Sequence, residues 1–406
     1  MGYNGGKLMK KIAIITGGIL PIPAVKGGAI ETLLQYYIDY NEKQKQFYLD
    51  IFSIFDDEAF KKGKSYKFSK FYYIRISKFL NKFVFNFFRI IGKLGYSDPN
   101  FRYLYIKKIC NILKNKDYDL ILIESDNHFV LPIKKVNDSK LVLYLHNDKL
   151  NSSIRDHRKI IDSCISIQTV SSFIKDQVLT INNVPDNKVE FLLNGIDVSN
   201  FQIKDKARIR KQLRQKYNIS DNDFVYLFTG RLDFEKGVLE LIKAFKKINR
   251  KNIKLVILGG SFYSSSKKTR YIKMLEREID SNPNIITTGY IQNHDVAKYH
   301  AMSDCMVVPS QWEEPGGLVN LESFASGLPL ISSYCGGTPQ YTEKTKSILI
   351  KRGVNFVQDL SLAMKQVMDD AKLREQMISS GLEQSKYFSK ERYCDDLNNY
   401  LYRLVK

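Results

Sequence analysis

Four side chains in the second half of the chain have the types and spacing to grip a phosphate and the hydroxyls beside it. Arg231 and Lys236 stand five residues apart in Gly230-Arg-Leu-Asp-Phe-Glu-Lys-Gly237. The apolar run Phe224–Thr229 before them predicts a strand, and a helix is expected from Val238, so both cations fall on a strand-to-helix loop. There a guanidinium fork and an ammonium point charge can converge on one diphosphate. The alternative is that either cation is simply paired with Asp233 or Glu235. Glu314 and Glu322 stand eight residues apart, about two helical turns, so they can face one cavity, the first from a loop and the second from a predicted helix. Gly316 and Gly317 between them let backbone approach a ligand closely. The helix start at Leu318 and Val319 offers unpaired N–H groups and the positive end of a dipole, which suit a phosphate or a sugar hydroxyl.

The elements that position these groups read as an α/β alternation. Cys305–Val308 is an apolar run, Leu318–Ala325 an amphipathic one, and a Gly-Leu-Pro break leads to a further strand from Pro329. Leu255–Leu258, ending at Gly259-Gly260, and Ile285–Ile291 also read as strands, and Lys206–Tyr217 as a basic helix. In the first half, Ile12–Ile15 suits the first parallel strand of a doubly wound sheet. Lys26-Gly27-Gly28-Ala29-Ile30-Glu31 follows and opens a helix through about Tyr40, without the dinucleotide spacing Gly-x-Gly-x-x-Gly. Asp119–Glu124 and Lys140–Leu145 read as strands, and His146 stands at the carboxyl end of the second, the edge at which open α/β sheets keep ligands. Phe101–Lys114 reads as a helix, Ser171 or Ser172 as the N-cap of another, Asn194-Gly195 as a turn, and Lys390–Leu404 as a closing helix whose apolar residues include Leu397, Leu401 and Leu404.

A length of 406 residues predicts two domains. No run of eighteen uncharged apolar residues occurs, so no transmembrane helix is expected, and the start lacks the pattern of a secretory signal. Residues 1–8 read as a poorly ordered extension, with Met9 a candidate natural start. The five cysteines have no metal-ligand spacing and read as buried free thiols in a reducing compartment. The formal charge of +20 invites anionic partners. Residues 60–93 hold ten Lys or Arg, no acid and eleven aromatics. Phe71–Ser77 reads as a strand. The rest reads as a helix with Phe79, Phe83, Phe87 and Phe88 on one side and Lys82, Arg89 and Lys93 on the other. That pattern fits an anionic membrane surface, a core helix with a solvated polar face, or a single-stranded nucleic acid, although no RNA-binding signature accompanies it. His294 and His300 lie on a helix after Ile291 and read as surface residues.

The stretch from Pro309 to Ser333, with its Glu, seven residues and Glu, resembles the donor-binding signature of retaining GT-B glycosyltransferases of family 4 (glycosyl transferases group 1). Gly230-Arg231…Lys236-Gly237 is similar to that family's Gly-Arg…Lys-Gly motif. Here Gly316 replaces the usual Phe and Gln340 the usual Glu, which leaves the identity of the sugar open. The resemblance implies two Rossmann-like doubly wound domains facing a central cleft: 9–199 for the acceptor and 200–385 for the nucleotide sugar, with helix 386–406 returning to pack on the first. It implies that Arg231 and Lys236 stabilise a departing diphosphate, with help from the helix start at Gly317, that Glu314 holds the transferred sugar, and that Glu322 accepts hydrogen bonds from ribose. Gly27, Gly28, His146, Gly259, Tyr290, Ile291, Gly316, Leu318 and Val319 become donor-binding residues. No cofactor and no obligatory metal is expected, since no Asp-x-Asp motif stands in a suitable strand-end loop. The implied partners are a nucleotide-sugar donor, most simply a UDP-sugar, and a glycan, lipid-linked or protein-linked acceptor, in surface polysaccharide or glycoconjugate synthesis. No specific nucleic acid is implied. The place of action would be the cytoplasm, peripheral to the inner face of the membrane. An epimerase or phosphorylase of the same fold, or a non-catalytic partner subunit, is the alternative.

Overall fold

The computed structural model describes residues 3–4, 7–77, 103–260 and 270–406. The helix read from residue 78 onward lies outside them. The chain divides into two compact units, Met1–Leu192 with Tyr393–Lys406, and Leu193–Arg392.

The first unit is built on a seven-stranded sheet, parallel throughout. Its strands are β1 (Lys10–Ile15), β2 (Phe47–Ile54), β3 (Ser69–Ile74), β4 (Leu120–Glu124), β5 (Leu141–Leu145), β6 (Ser166–Thr169) and β7 (Val189–Phe191). They lie in the order β3-β2-β1-β4-β5-β6-β7. Strands covered on both faces are continuous apolar runs rather than alternating ones, and β4 and β5 are buried at every position. The closing helix, Lys390–Val405, belongs largely to this unit: Tyr400 donates to Ser166 Oγ at 2.9 Å and Tyr40 to Asp395 at 2.7 Å. Residues expected to be a poorly ordered extension instead include a small ribbon, Tyr3–Asn4 paired antiparallel with Lys7–Leu8.

The second unit carries six parallel strands: β8 (Phe224–Thr229), β9 (Ile253–Leu258), β10 (Ile285–Gly289), β11 (Cys305–Val308), β12 (Leu330–Tyr334) and β13 (Ile348–Lys351). Their order is β10-β9-β8-β11-β12-β13. Alternate residues feed opposite faces. Tyr226, Phe228, Leu255 and Ile257 join one apolar cluster with helices Val238–Lys246 and Phe356–Asp369. Val225, Leu227, Val256 and Leu258 join the other with Leu321 and Phe324 of helix Leu318–Ala325. The Asn194-Gly195-Ile196-Asp197 turn belongs to this unit, where Arg392 donates to the carbonyls of Leu193 at 2.7 Å and Asn194 at 2.8 Å.

His294 is exposed as expected, but His300 is not: it is fully buried at the end of helix Asn293–Met302. That helix packs on Lys206–Lys216, and the imidazole bonds Ser326 Oγ through Nδ1 at 2.7 Å beside the Phe201 ring. Burial pushes its pKa down to about 3. All five cysteines are buried free thiols. Among the described residues no helix is long and apolar enough to cross a membrane.

Candidate active site

Each sheet reverses its strand order once, between β1 and β4 and between β8 and β11. Ligands of open α/β sheets bind at the carboxyl ends of the strands beside such a reversal. In the second unit, Arg231 and Lys236 follow β8 and Glu314 follows β11, so the topology alone brings the two loops together.

Glycines let these loops touch backbone to backbone. Gly237 has φ 67°, and a Cβ there would stand 1.9 Å from the Pro309 carbonyl oxygen. Gly259 has φ 152°, and a Cβ there would stand 1.8 Å from the Gly230 carbonyl oxygen. Asp233 caps the short turn Phe234–Lys236 by accepting from the Lys236 amide at 3.2 Å. Lys236 Nζ thereby reaches Glu314 Oε2 at 2.7 Å, and the same oxygen accepts from Trp312 Nε1 at 2.9 Å and Ser310 Oγ at 3.2 Å. Burial works to raise the Glu314 carboxyl. The Lys236 charge and these hydrogen bonds outweigh it and hold the group below the ordinary carboxylate range.

The backbone of Glu314 is fixed as firmly. Its carbonyl accepts from Gly337 N at 2.8 Å, and Gly336, at φ 50°, leaves no room for a Cβ beside it. The neighbouring Glu313 is paired with Arg352 and accepts from Gly336 N at 2.6 Å. Arg231 does not join Lys236: its guanidinium lies 2.7 Å from Asp233 and 3.4 Å from Glu235, the ion-paired alternative.

Helix Leu318–Ala325 starts at Gly317 with no side chain capping it, so the amides of Leu318 and Val319 lie at an uncapped N-terminus. Glu322, on the same helix, is half-buried, and burial with no offsetting charge pushes its carboxyl up to about 7. The position of the family's Phe is filled from elsewhere. A Cβ on Gly316 would stand 2.8 Å from Asn194 Nδ2 and 2.9 Å from the Tyr341 hydroxyl, and that hydroxyl accepts from the Asn194 amide at 2.8 Å. Beyond β10, Tyr290 is exposed, whereas Ile291 packs partly into the core.

The first unit holds its own strand-end group. Gly27 and Gly28 have φ 71° and 98°, and Gly28 starts helix Ala29–Gln44. A Cβ on Gly28 would stand 2.6 Å from a Leu20 methyl. His146 Nε2, after β5, lies 2.9 Å from Glu124 Oε2 at the end of β4, and both side chains are buried. Ser125 next to it is left-handed at φ 64°, an uncommon conformation for a residue with a side chain.

A family profile described as Glycosyl transferases group 1 matches residues 209–384, the part of the second unit that holds Arg231, Lys236, Glu314 and Glu322. The second unit of the chain carries this family's domain. The chain is a retaining glycosyltransferase that takes its sugar from a nucleotide-sugar donor. Among relatives, the "Putative glycosyltransferase YtcC" of Bacillus subtilis (strain 168) is 28% identical over 378 residues, spanning 90% of this chain and 85% of that one. Spore coat protein SA of the same organism is 26% identical over 83% of this chain and 84% of its own. The solved structure of Anabaena Alr3699/HepE in complex with UDP and glucose superposes with a TM-score of 0.75, covering 97% of this chain and 100% of that one at 16% identity, a likeness in fold.

Sequence reasoning did not single out Trp312, Ser310, Tyr341 or Glu124. For Glu124 a signal was present, since it ends a predicted strand at the same sheet edge as His146. Trp312 stands two residues before Glu314, but only the folded loop turns its N–H onto that carboxylate.

Proposed function

We propose that this chain transfers a hexose or a related sugar from a UDP-sugar to a glycan or lipid-linked acceptor, in the synthesis of a surface polysaccharide or glycoconjugate. The observation that carries the donor site is the Lys236–Glu314 contact at the strand-order reversal of the second unit. A diphosphate competes with Glu314 for the Lys236 ammonium. Bound there, it also meets the uncapped amides of Leu318 and Val319 and draws Arg231 from its exposed pairing with Asp233. As the bond from the anomeric carbon to the diphosphate oxygen breaks, its electron pair stays on that oxygen, where these cations and dipoles stabilise it. The acceptor hydroxyl adds to the anomeric carbon from the same face, and its proton passes to the departing phosphate oxygen. Glu314 holds the sugar's hydroxyls and faces the positive charge that develops on the ring, while Glu322 accepts from the ribose. Gly27, Gly28 and His146 form the first unit's own strand-end binding group. Uridine as the base is supported by the UDP in the Anabaena structure, and a surface glycan by the name of the spore coat relative.

The test is nucleotide release from a panel of UDP-, GDP- and ADP-sugars, with and without a membrane-glycolipid extract as acceptor. The expected result is UDP release from one UDP-sugar that rises when acceptor is added. Release from GDP- or ADP-sugars alone would overturn the choice of base. Conversion of the donor to its epimer without acceptor would overturn transfer.

A further inference from the structure

Lys236 and Glu314 share a third neighbour. Trp312 is the single tryptophan of the chain and is half-buried. Its indole Nε1 donates to Glu314 Oε2 at 2.9 Å, and Lys236 Nζ stands 5.3 Å from its ring centroid. One side chain therefore touches both charges of the pair. An indole N–H donates along one direction and cannot accept, so it orients the carboxylate in a way that the rotatable Ser310 hydroxyl on the same oxygen does not. The ring face attracts the ammonium as well. The loop beneath is braced on both sides: Gln311 N donates to the Glu235 carbonyl at 2.7 Å, and Arg352 Nη1 donates to the Gln311 carbonyl at 2.9 Å.

We propose that Trp312 is a positioning residue for sugar transfer: its N–H keeps the Glu314 carboxylate aimed at the sugar when the donor diphosphate draws Lys236 away. The inference rests on the donor-site reading above. It has a second consequence. The sole tryptophan reports on its own site, because its emission responds to the departure of the ammonium from its ring face.

The experiment uses the full chain with UDP as the probe, followed in parallel by calorimetry and by tryptophan emission. Trp312→Phe, which keeps a ring and loses the N–H, is assayed with the active UDP-sugar. In the wild type, emission should shift saturably with the calorimetric midpoint. Trp312→Phe should bind UDP with wild-type affinity and melt at the wild-type temperature, yet lose roughly tenfold or more in kcat, the scale of a hydrogen bond to a charged group. Adding Glu314→Gln to Trp312→Phe should cost less than it does alone, because the two act as a unit. Wild-type kcat in Trp312→Phe would overturn the proposal. So would a fall in melting temperature and UDP affinity that accounts for the lost activity, since that marks a merely structural role. If the wild type binds no nucleotide by calorimetry, the donor-site reading falls and takes this inference with it. If UDP binds and Trp312→Phe is unimpaired, this inference falls alone.

Discussion

Glu314 and Glu322 sit in opposite electrostatic settings. Glu314 has an ammonium and two neutral donors on one oxygen and is held ionised; Glu322 is half-buried without a counter-charge and is pushed up to about 7. Ribose hydroxyls would supply the donors that Glu322 lacks and would favour its ionised form. UDP affinity should therefore strengthen as pH rises through about 7, and Glu322→Gln should flatten that dependence, as measured by calorimetry at several pH values. The same shift has a stability consequence. Between 4.5 and about 7 the folded chain holds a proton that the unfolded chain has released, so the Glu322 contribution is lost as pH rises across that window. Glu322→Gln should melt higher than wild type above pH 7 and gain least near pH 4.5, in thermal melts across that range. Residue type and spacing were enough to single out Arg231, Lys236, Glu314 and Glu322 as candidates in the sequence. The pairing of Arg231 with Asp233 was among the alternatives that the sequence offered, and the pairing of Lys236 with Glu314 was not. Lys236 faces Glu314 because a loop from another strand, far along the chain, comes to lie beside the β8 loop, whereas Arg231 pairs with Asp233 of its own loop.

At the level of elements, glycine turns set how closely the loops approach. Gly237→Ala would put a Cβ onto the Pro309 carbonyl at a left-handed φ. It should cost roughly 1–3 kcal/mol of stability and weaken UDP binding, since the loop carrying Lys236 must retreat; denaturant unfolding and calorimetry check both. Strands Phe224–Thr229 and Cys305–Val308 and helix Leu318–Ala325 stand at the residues read from sequence. They are apolar runs or stripes bounded by glycine or by charge, which is why they were readable. Strand order was not, because it depends on pairing between distant segments. His300 was misread because its helix has mixed polarity. What buries it is packing against Lys206–Lys216, a strongly basic stretch whose Arg214 is itself buried against Asp304. Held neutral, with its pKa pushed down from 6.5 to about 3, His300 contributes stability above 6.5 that is lost as pH falls toward 3. His300→Gln should melt lower than wild type at pH 7 and lose less on acidification to pH 4.

For the whole molecule, two doubly wound sheets and a net charge of +20 suit a chain whose donor is an anion. A field of that sign attracts nucleotides and anionic lipid headgroups alike, and the second attraction is screened by salt. The chain should float with phosphatidylglycerol vesicles at low ionic strength and be released by high salt; salt-insensitive binding, or none, would remove the membrane partner. The proposed transfer requires the second unit to hold the nucleotide through Lys236. The most direct measurement is a calorimetric titration of wild type and Lys236→Ala with UDP, GDP and ADP in EDTA. The account predicts saturable UDP binding by the wild type, a much weaker response to the other two, and a loss on the order of a hundredfold in Lys236→Ala, as expected when a charged phosphate contact is removed from a partly buried site. Equal UDP binding by Lys236→Ala would place the donor elsewhere and contradict it.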